Sequence, residues 1–189
     1  MASKTAIVCL HEGTRGHSID PVFINKLIRT LKPSWIRWQG SNIVRLDPCG
    51  GRKDLIGLFP QKLREVVLAA GGNTTLMVWA DVDDDMPDCD ALKNEFWREA
   101  EKQGVTRDQF DQVVFLFAKD RIENWIEFLR TGATDESKEG PRIKHGSEAA
   151  EAARILAAQC QSGAPIKNIP PSLEWSCKNW RDLKSRMNS

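Results

Sequence analysis

The feature that most constrains the fold is an unbroken apolar run at residues 76–80, which lies between a Gly-Gly-Asn turn signal and a cluster of carboxylates. Such a run is typical of a strand buried on both faces, because helices cover both sides of a parallel sheet and the alternation of polar and apolar residues disappears. Two further runs of this kind occupy residues 5–10 and 112–118. Helical patterns separate the three runs, so the sequence predicts an α/β domain with a largely parallel sheet.

Helices are expected at residues 20–32, 55–70, 90–102, 119–130, 148–161 and 173–187, with short strands at 35–38 and 42–46. Pro60 lies inside the second helical pattern and predicts either a kink or two shorter pieces. The segment from Thr131 to Ser147 is rich in Gly, Thr, Ser and charge, which is typical of a mobile loop.

The central apolar run leads into Asp81 and Asp83. In an open α/β sheet, the chain leaves each strand at the carboxyl edge of the sheet, where functional sites usually lie. Alternate residues of a strand point to the same side, so the side chains of Asp81 and Asp83 are expected to lie on one face. Two neighbouring carboxylates are tolerated if a cation lies between them, and oxygen ligands favour Mg²⁺ or Mn²⁺ over zinc. The alternative interpretation is a solvated acidic loop.

The other two buried runs also lead into segments that carry acids. Glu12 follows the first run, and Glu123 lies just past the third. Acids placed independently after three strands favour a shared site, although Glu12 also suits a surface turn and Glu123 a first helical turn. The remaining acids are expected to be solvated (Asp84, Asp85) or to cap helices (Asp20, Asp88, Asp90).

Length and composition limit the class of protein. The 189 residues are expected to form one domain with a substantial core, and no apolar run approaches the ~20 residues of a membrane span. Five scattered cysteines favour reduced thiols over a disulfide framework or a zinc ribbon. Residues 1–4 lead straight into a strand-like run, so a cytoplasmic protein is expected. The net charge of +1 does not by itself indicate a nucleic-acid binder.

The order of these motifs resembles the Toprim domain of topoisomerases, primases and the overcoming-lysogenization-defect nucleases. Glu12-Gly13 looks like the Glu-Gly pair after that domain's first strand, and Asp81-Val82-Asp83 looks like its later Asp-x-Asp. The nuclease branch opens a helix with the signature Arg-x-Ile-Glu-Asn-(Tyr/Trp), and Arg121-Ile122-Glu123-Asn124-Trp125 looks like it. The resemblance covers roughly residues 5–130 and implies a Toprim-like, Rossmann-like fold with a helical C-terminal extension.

The resemblance also implies a division of the chain and an activity. Residues 1–131 would form the catalytic core, 132–147 a mobile loop, and 148–189 C-terminal helices packed on the core. The implied activity is that of a nuclease that uses Mg²⁺ or Mn²⁺ and hydrolyses phosphodiester bonds. Its metal ligands would be Glu12, Asp81, Asp83 and Glu123, and Lys144 would neutralise charge on the reacting phosphate.

The chain departs from the nuclease pattern in three places. Asp84 and Asp85 follow the Asp-x-Asp, where a Gly is often seen. Residues 14–16 are Thr-Arg-Gly, where many nuclease-branch members carry a second acid. The lysine expected after the last motif is represented only by Lys144, which lies on the flank of the predicted loop. The second metal ion and the general base are therefore left open.

Small Toprim-like proteins resemble effector subunits of bacterial defence or repair systems, which implies an ATPase partner and a role in antiviral defence. The candidate partners are nucleic acid, an ATPase subunit and other copies of the chain, with no membrane. The alternative is a non-catalytic Toprim-like interaction subunit that binds a partner ATPase or nucleic acid. A topoisomerase or primase role is disfavoured because the chain contains no tyrosine and no accessory domain.

Overall fold

A computed structural model describes residues 7–13, 19–31, 44–68 and 74–187. Within these ranges the predicted α/β class is confirmed, because four parallel strands form one sheet flanked by helices. The sheet has the strand order β2-β1-β3-β4. The strands are β1 (Ile7–His11), β2 (Val44–Pro48), β3 (Thr75–Val82) and β4 (Val114–Lys119).

The helices lie close to the positions that the sequence periodicity predicts. They are α1 (Asp20–Leu31), α2 (Arg52–Leu63), α3 (Cys89–Lys102), α4 (Arg107–Phe110), α5 (Ile122–Thr131), α6 (Gly146–Ser162) and α7 (Pro171–Met187). Helix α2 runs through Pro60 and changes at Arg64 into a π-helical turn, so the irregularity lies after the proline. The strand predicted at residues 35–38 lies outside the described residues.

The sequence predicts neither a membrane-spanning helix nor a disulfide framework. None of the helices that the structure describes combines the length and the apolar character needed to cross a bilayer. No disulfide bond joins the five cysteines, all of which lie in the described residues, as the sequence predicted.

Alternating residues of the strands divide the core into two clusters. In β3, Met77 and Trp79 pack in the cluster beneath α1, α5 and α6, while Leu76 and Val78 pack in the cluster beneath α2, α3 and α4. Both clusters are apolar, which explains why the strand sequences do not alternate between polar and apolar residues. We refer to these as the α1 face and the α2 face of the sheet.

The connections make a topological switch between β1 and β3. The chain leaves β1 for β2 on one side and then crosses back to β3 on the other side of β1. In an open parallel sheet, the connections diverge at this point and leave a crevice at the carboxyl ends of the strands. Glu12 directly follows β1, and Asp81 lies near the end of β3, so both residues flank the crevice.

Strand β4 lies at the edge of the sheet, and α7 covers its exposed backbone. The Ser176 hydroxyl accepts a hydrogen bond from the Phe117 N–H (2.9 Å) and donates to the Phe117 carbonyl (3.1 Å). One helical turn earlier, the Ser172 hydroxyl accepts from the Lys119 N–H at 3.1 Å. The two serines therefore satisfy backbone groups that an edge strand would otherwise present to other chains.

Candidate functional site

A cavity of about 640 Å³ opens at the carboxyl end of β3 on the α1 face. Its volume lies within the usual range of ligand pockets. The charged residues in its wall are Asp20, Asp81, Asp83, Asp120, Arg121, Glu123 and Lys144. The structure thus brings four of the five predicted site residues together, namely Asp81, Asp83, Glu123 and Lys144.

Asp81 lies within β3 rather than beyond its end, because the strand continues to Val82 opposite the end of β4. Pairing with Ala118 of β4 and a hydrogen bond from its N–H to Glu12 Oε1 therefore hold Asp81 more firmly than a solvated loop would. Its Oδ1 atom is buried and has no hydrogen-bond partner among the described residues. Burial raises the pKa of Asp81 well above its usual range, and the charges of Asp20 and Glu12 raise it further.

Glu12 contacts the site through the backbone of β3. Its N–H donates to the Trp79 carbonyl at 3.3 Å, and its Oε1 accepts from the Asp81 N–H at 3.1 Å. Burial raises the pKa of Glu12 to about 7, against the lowering effect of the Asp81 hydrogen bond. Glu12 is not part of the cavity wall as the described residues form it, so its predicted metal contact stays a prediction.

Asp83 is half exposed and is paired with Arg52, which belongs to none of the sequence motifs. The Arg52 guanidinium donates through Nη1 to Asp83 Oδ2 at 3.0 Å and through Nη2 to the Asp85 carboxylate. A bridge between Gly13 and Gly50 places the loop before α2 against the exit of β1. The turn signal at residues 50–51, at the end of a predicted strand, could have indicated that Arg52 lies at this edge.

Asp20 is a site residue that the sequence analysis interpreted only as a helix cap. It is the first residue of α1, lines the cavity, and accepts a hydrogen bond from the Trp79 indole N–H at 3.0 Å. Its charge contributes to the raised pKa values of Glu12, Asp81 and Glu123. The capping prediction was right for Asp88, whose side chain accepts from the N–H of Ala91 at 2.8 Å.

The third motif begins with a strained turn. Asp120 has a φ of +62° and donates its N–H to the Val82 carbonyl at 2.9 Å, which redirects the chain from β4 into α5. Glu123 therefore lies in the first turn of α5 and faces the cavity, where burial raises its pKa. Arg121 is paired with Asp120 at 3.2 Å and with Glu139 at 2.6 Å.

The segment between α5 and α6 supplies Lys144 to the cavity wall. The predicted loop ended at residue 147, but α6 already begins at Gly146. Buried Asn124 donates to the carbonyls of Lys119 (3.2 Å) and Lys138 (3.4 Å), which ties this segment to the end of β4. A Cβ atom at Gly140 would lie 2.6 Å from the Asn124 Oδ1, so the packing is close. Motion of the segment stays a prediction.

The acidic side chains of the site are of the chemical type that binds a divalent cation, but the described side chains are not arranged to hold one. Carboxylate oxygens are the ligands that Mg²⁺ and Mn²⁺ prefer, and the buried Oδ1 of Asp81 finds no donor in the described part of the chain. Nevertheless, residues 7–13, 19–31, 44–68 and 74–187 contain no group of three or more His, Cys, Asp or Glu side chains placed to hold a metal ion. In this structure one oxygen of Asp83 (Oδ2) is paired with Arg52 at 3.0 Å.

The fold and the cavity define an α/β protein of the Rossmann-like type with an acidic site at its topological switch point. The chain was compared with protein-family models, with curated proteins and with solved structures, and none of them matches it.

Proposed function

We propose that the protein is a divalent-metal-dependent nuclease that hydrolyses the phosphodiester bonds of nucleic acid. The observation that carries this proposal is the buried Asp81 carboxylate, whose Oδ1 has no partner among the described residues and which faces a cavity lined by further acids. An ionised carboxylate in such surroundings costs free energy, and a bound cation would offset that cost. The order of the Glu-Gly, Asp-x-Asp and Ile-Glu-Asn-Trp motifs, which resembles the Toprim nucleases, supports the same conclusion.

Asp81 is the central metal ligand in this proposal, with Asp83 and Glu12 as its neighbours. Asp20 and Glu123 line the same cavity and would hold a second ion. Bound Mg²⁺ or Mn²⁺ would polarise a phosphodiester oxygen and lower the pKa of a bound water.

Glu12, Lys144 and Arg121 also have roles in this proposal. Glu12 accepts the Asp81 N–H at 3.1 Å, so its carboxylate positions the strand residue that carries the central metal ligand. Lys144 lies in the cavity wall, where its ammonium can donate to phosphate oxygens as negative charge develops. Arg121 also lines the cavity, but its pairs with Asp120 and Glu139 hold it as a support for the segment before α6.

The test is cleavage of supercoiled plasmid and of RNA in Mg²⁺, in Mn²⁺ and in EDTA. We expect metal-dependent cleavage by the native chain and none by Asp81→Ala. Asp84→Ala is the matched control, because Asp84 is a neighbouring acid whose side chain is fully exposed. Calorimetric titration with Mn²⁺ accompanies the assay. A chain that neither binds Mn²⁺ nor cleaves would contradict the proposal.

A second candidate is a non-catalytic interaction subunit that binds nucleic acid or an ATPase. The pairing of Arg52 with Asp83 and Asp85 favours it, because this guanidinium neutralises Asp83, an acid that a catalytic metal would need. Nucleic-acid binding that persists without Mn²⁺ binding or cleavage would support this second candidate.

For both candidates we propose a cytoplasmic protein of a defence or repair system, with nucleic acid or an ATPase subunit as its partner. An ATPase that must be present for activity would explain Mn²⁺ binding without cleavage by the chain alone, and adding that subunit would then restore cleavage. Self-association into a homo-oligomer stays a prediction that sedimentation can test.

A further inference from the structure

Arg52 adjoins the cavity through Asp83, a residue of the cavity wall, and the proposed ligands and acid–base groups do not explain its presence there. It is the first residue of α2, and the backbone bridge between Gly13 and Gly50 brings it to the carboxyl end of β1. Only 18% of its side chain is exposed, although the side chains of its two partners are each more than half exposed. The guanidinium is therefore held in position and does not extend freely into solvent.

The two partners of Arg52 resemble the two oxygens of one phosphate group. One arm of the guanidinium donates to Asp83 at 3.0 Å, and the other donates to the Asp85 carboxylate. A planar guanidinium with two parallel donors matches the geometry of phosphate oxygens as well as that of carboxylates. The side chain is thus already oriented for an anion with two acceptor oxygens.

One oxygen atom of Asp83 cannot accept a hydrogen bond from Arg52 and bind a divalent cation at the same time. A cation that binds Asp81 and Asp83 would displace one arm of the guanidinium, and the freed donors would face an approaching backbone phosphate. Conversely, a phosphate that engages Arg52 would release Asp83 for the cation. Coupling of this kind is reciprocal, because each ligand must raise the affinity of the other by the same factor.

We propose that Arg52 is a phosphate-binding residue of this site, held on Asp83 and Asp85 until a divalent cation takes Asp83. This inference rests on the proposed nuclease function. It implies that Arg52 opposes metal binding when nucleic acid is absent and supports cleavage when nucleic acid is present. A residue with a purely structural role would not have effects of opposite sign on these two measurements.

The experiment compares the native chain with Arg52→Ala and Arg52→Lys. Mn²⁺ affinity is measured by calorimetric titration without nucleic acid, and plasmid cleavage is measured at saturating Mn²⁺. We expect Arg52→Ala to bind Mn²⁺ about two- to fivefold more tightly, which is the range for losing one exposed ion pair. We also expect its cleavage rate to fall by roughly a hundredfold, because a donor to the reacting phosphate is lost.

Arg52→Lys keeps the charge but loses the two-armed geometry, so its cleavage rate should lie between those of the native chain and Arg52→Ala. Arg130→Ala is the matched control. Arg130 also joins two carboxylates, Glu148 at 2.7 Å and Glu151 at 2.9 Å, and none of these three residues belongs to the cavity wall in the described part of the chain. This control should change neither Mn²⁺ affinity nor cleavage.

Circular dichroism melts establish that each variant is folded. A folded Arg52→Ala variant that binds Mn²⁺ no more tightly than the native chain would overturn the inference, as would tighter binding with undiminished cleavage. Failure of the proposed function has a different signature, because the native chain itself would then bind no Mn²⁺.

Discussion

The two faces of the sheet are built from similar strands but serve different purposes. The α2 face is filled by buried phenylalanine rings, whose neighbours lie 5.1–5.9 Å apart (Phe59, Phe96, Phe110, Phe115, Phe117). The α1 face instead carries two buried tryptophans whose indole N–H groups have polar partners. Trp79 donates to Asp20 at 3.0 Å, and Trp125 donates to Ser172 at 2.8 Å.

This difference shows where the protein gains stability and where it gives stability up. Aromatic rings on the α2 face bury large apolar areas without any polar cost. On the α1 face the buried aromatic residues support polar groups, and the sheet edge above them collects carboxylates that repel one another. Functional sites commonly carry such a cost, which the rest of the fold must offset.

The largest expected effect is at Asp81, where function and stability should change in opposite directions. Asp81→Asn removes a proposed metal ligand, so we expect cleavage to fall by roughly a thousandfold. It also removes a carboxyl group whose ionisation is disfavoured by burial and by the neighbouring acids, so the melting temperature should rise by about 2–4 °C for each kcal/mol of this cost relieved. Plasmid cleavage and calorimetric melting measure the two changes. A melting temperature below that of the native chain would show that Asp81 stabilises the fold.

The next effect tests the other face. Phe59 is fully buried and contacts Phe96, Phe110 and Phe115 at 5.3–5.8 Å, so Phe59→Ala should lower the free energy of unfolding by about 3–5 kcal/mol. Urea denaturation measures the loss. The neighbouring Leu58 is 40% exposed, and Leu58→Ala should cost no more than about 0.5 kcal/mol. Mn²⁺ affinity of the folded Phe59→Ala protein should be unchanged, and a large loss of that affinity would mean that the two faces are energetically coupled.

The smallest effect concerns pH. Glu12 has a pKa of about 7 in the folded protein instead of the ordinary 4.5, so between these values the folded state binds more protons than the unfolded state. The free energy of unfolding should therefore fall as pH rises through this window, by about 1–2 kcal/mol because Glu12 is only half-buried. Melting temperatures measured across the window test the slope.

Glu12→Gln should flatten this pH dependence in part, and the remaining slope belongs to Asp81 and Glu123, whose pKa values are also raised. Mn²⁺ should stabilise the native chain most above the window, where the carboxylates are ionised. A free energy of unfolding that increases with pH across the window would contradict the placement of these acids in one site.

Several elements of the site could be predicted from the sequence because their signals are local. The apolar run at residues 76–80 predicts a doubly covered strand, and Asp81 and Asp83 follow in the two-residue period of that strand. Glu123 falls in the first turn of a helix after another buried run, where the structure places it. Such predictions depend on residues that are close together in the chain.

Asp20, Arg52 and Ser172 show what local signals could not reveal. Asp20 has the sequence context of a helix start, and its position beside Asp81 depends on α1 leaving the same end of the sheet. Arg52 reaches Asp83 across 31 residues of sequence because β2 lies beside β1 and not beside β4. The Ser172 hydroxyl can accept from the Lys119 backbone N–H only because β4 is an edge strand.

The amino-acid sequence by itself determined the strands, most of the helices and the acids that follow the buried runs, because periodicity and turn chemistry act over a few residues. The tertiary structure alone decided which acids share a cavity, which arginine neutralises Asp83, and which oxygen of Asp81 is left without a donor among the described residues. The physical reason is that strand order sets distances between residues far apart in the chain, and electrostatic energies depend on those distances.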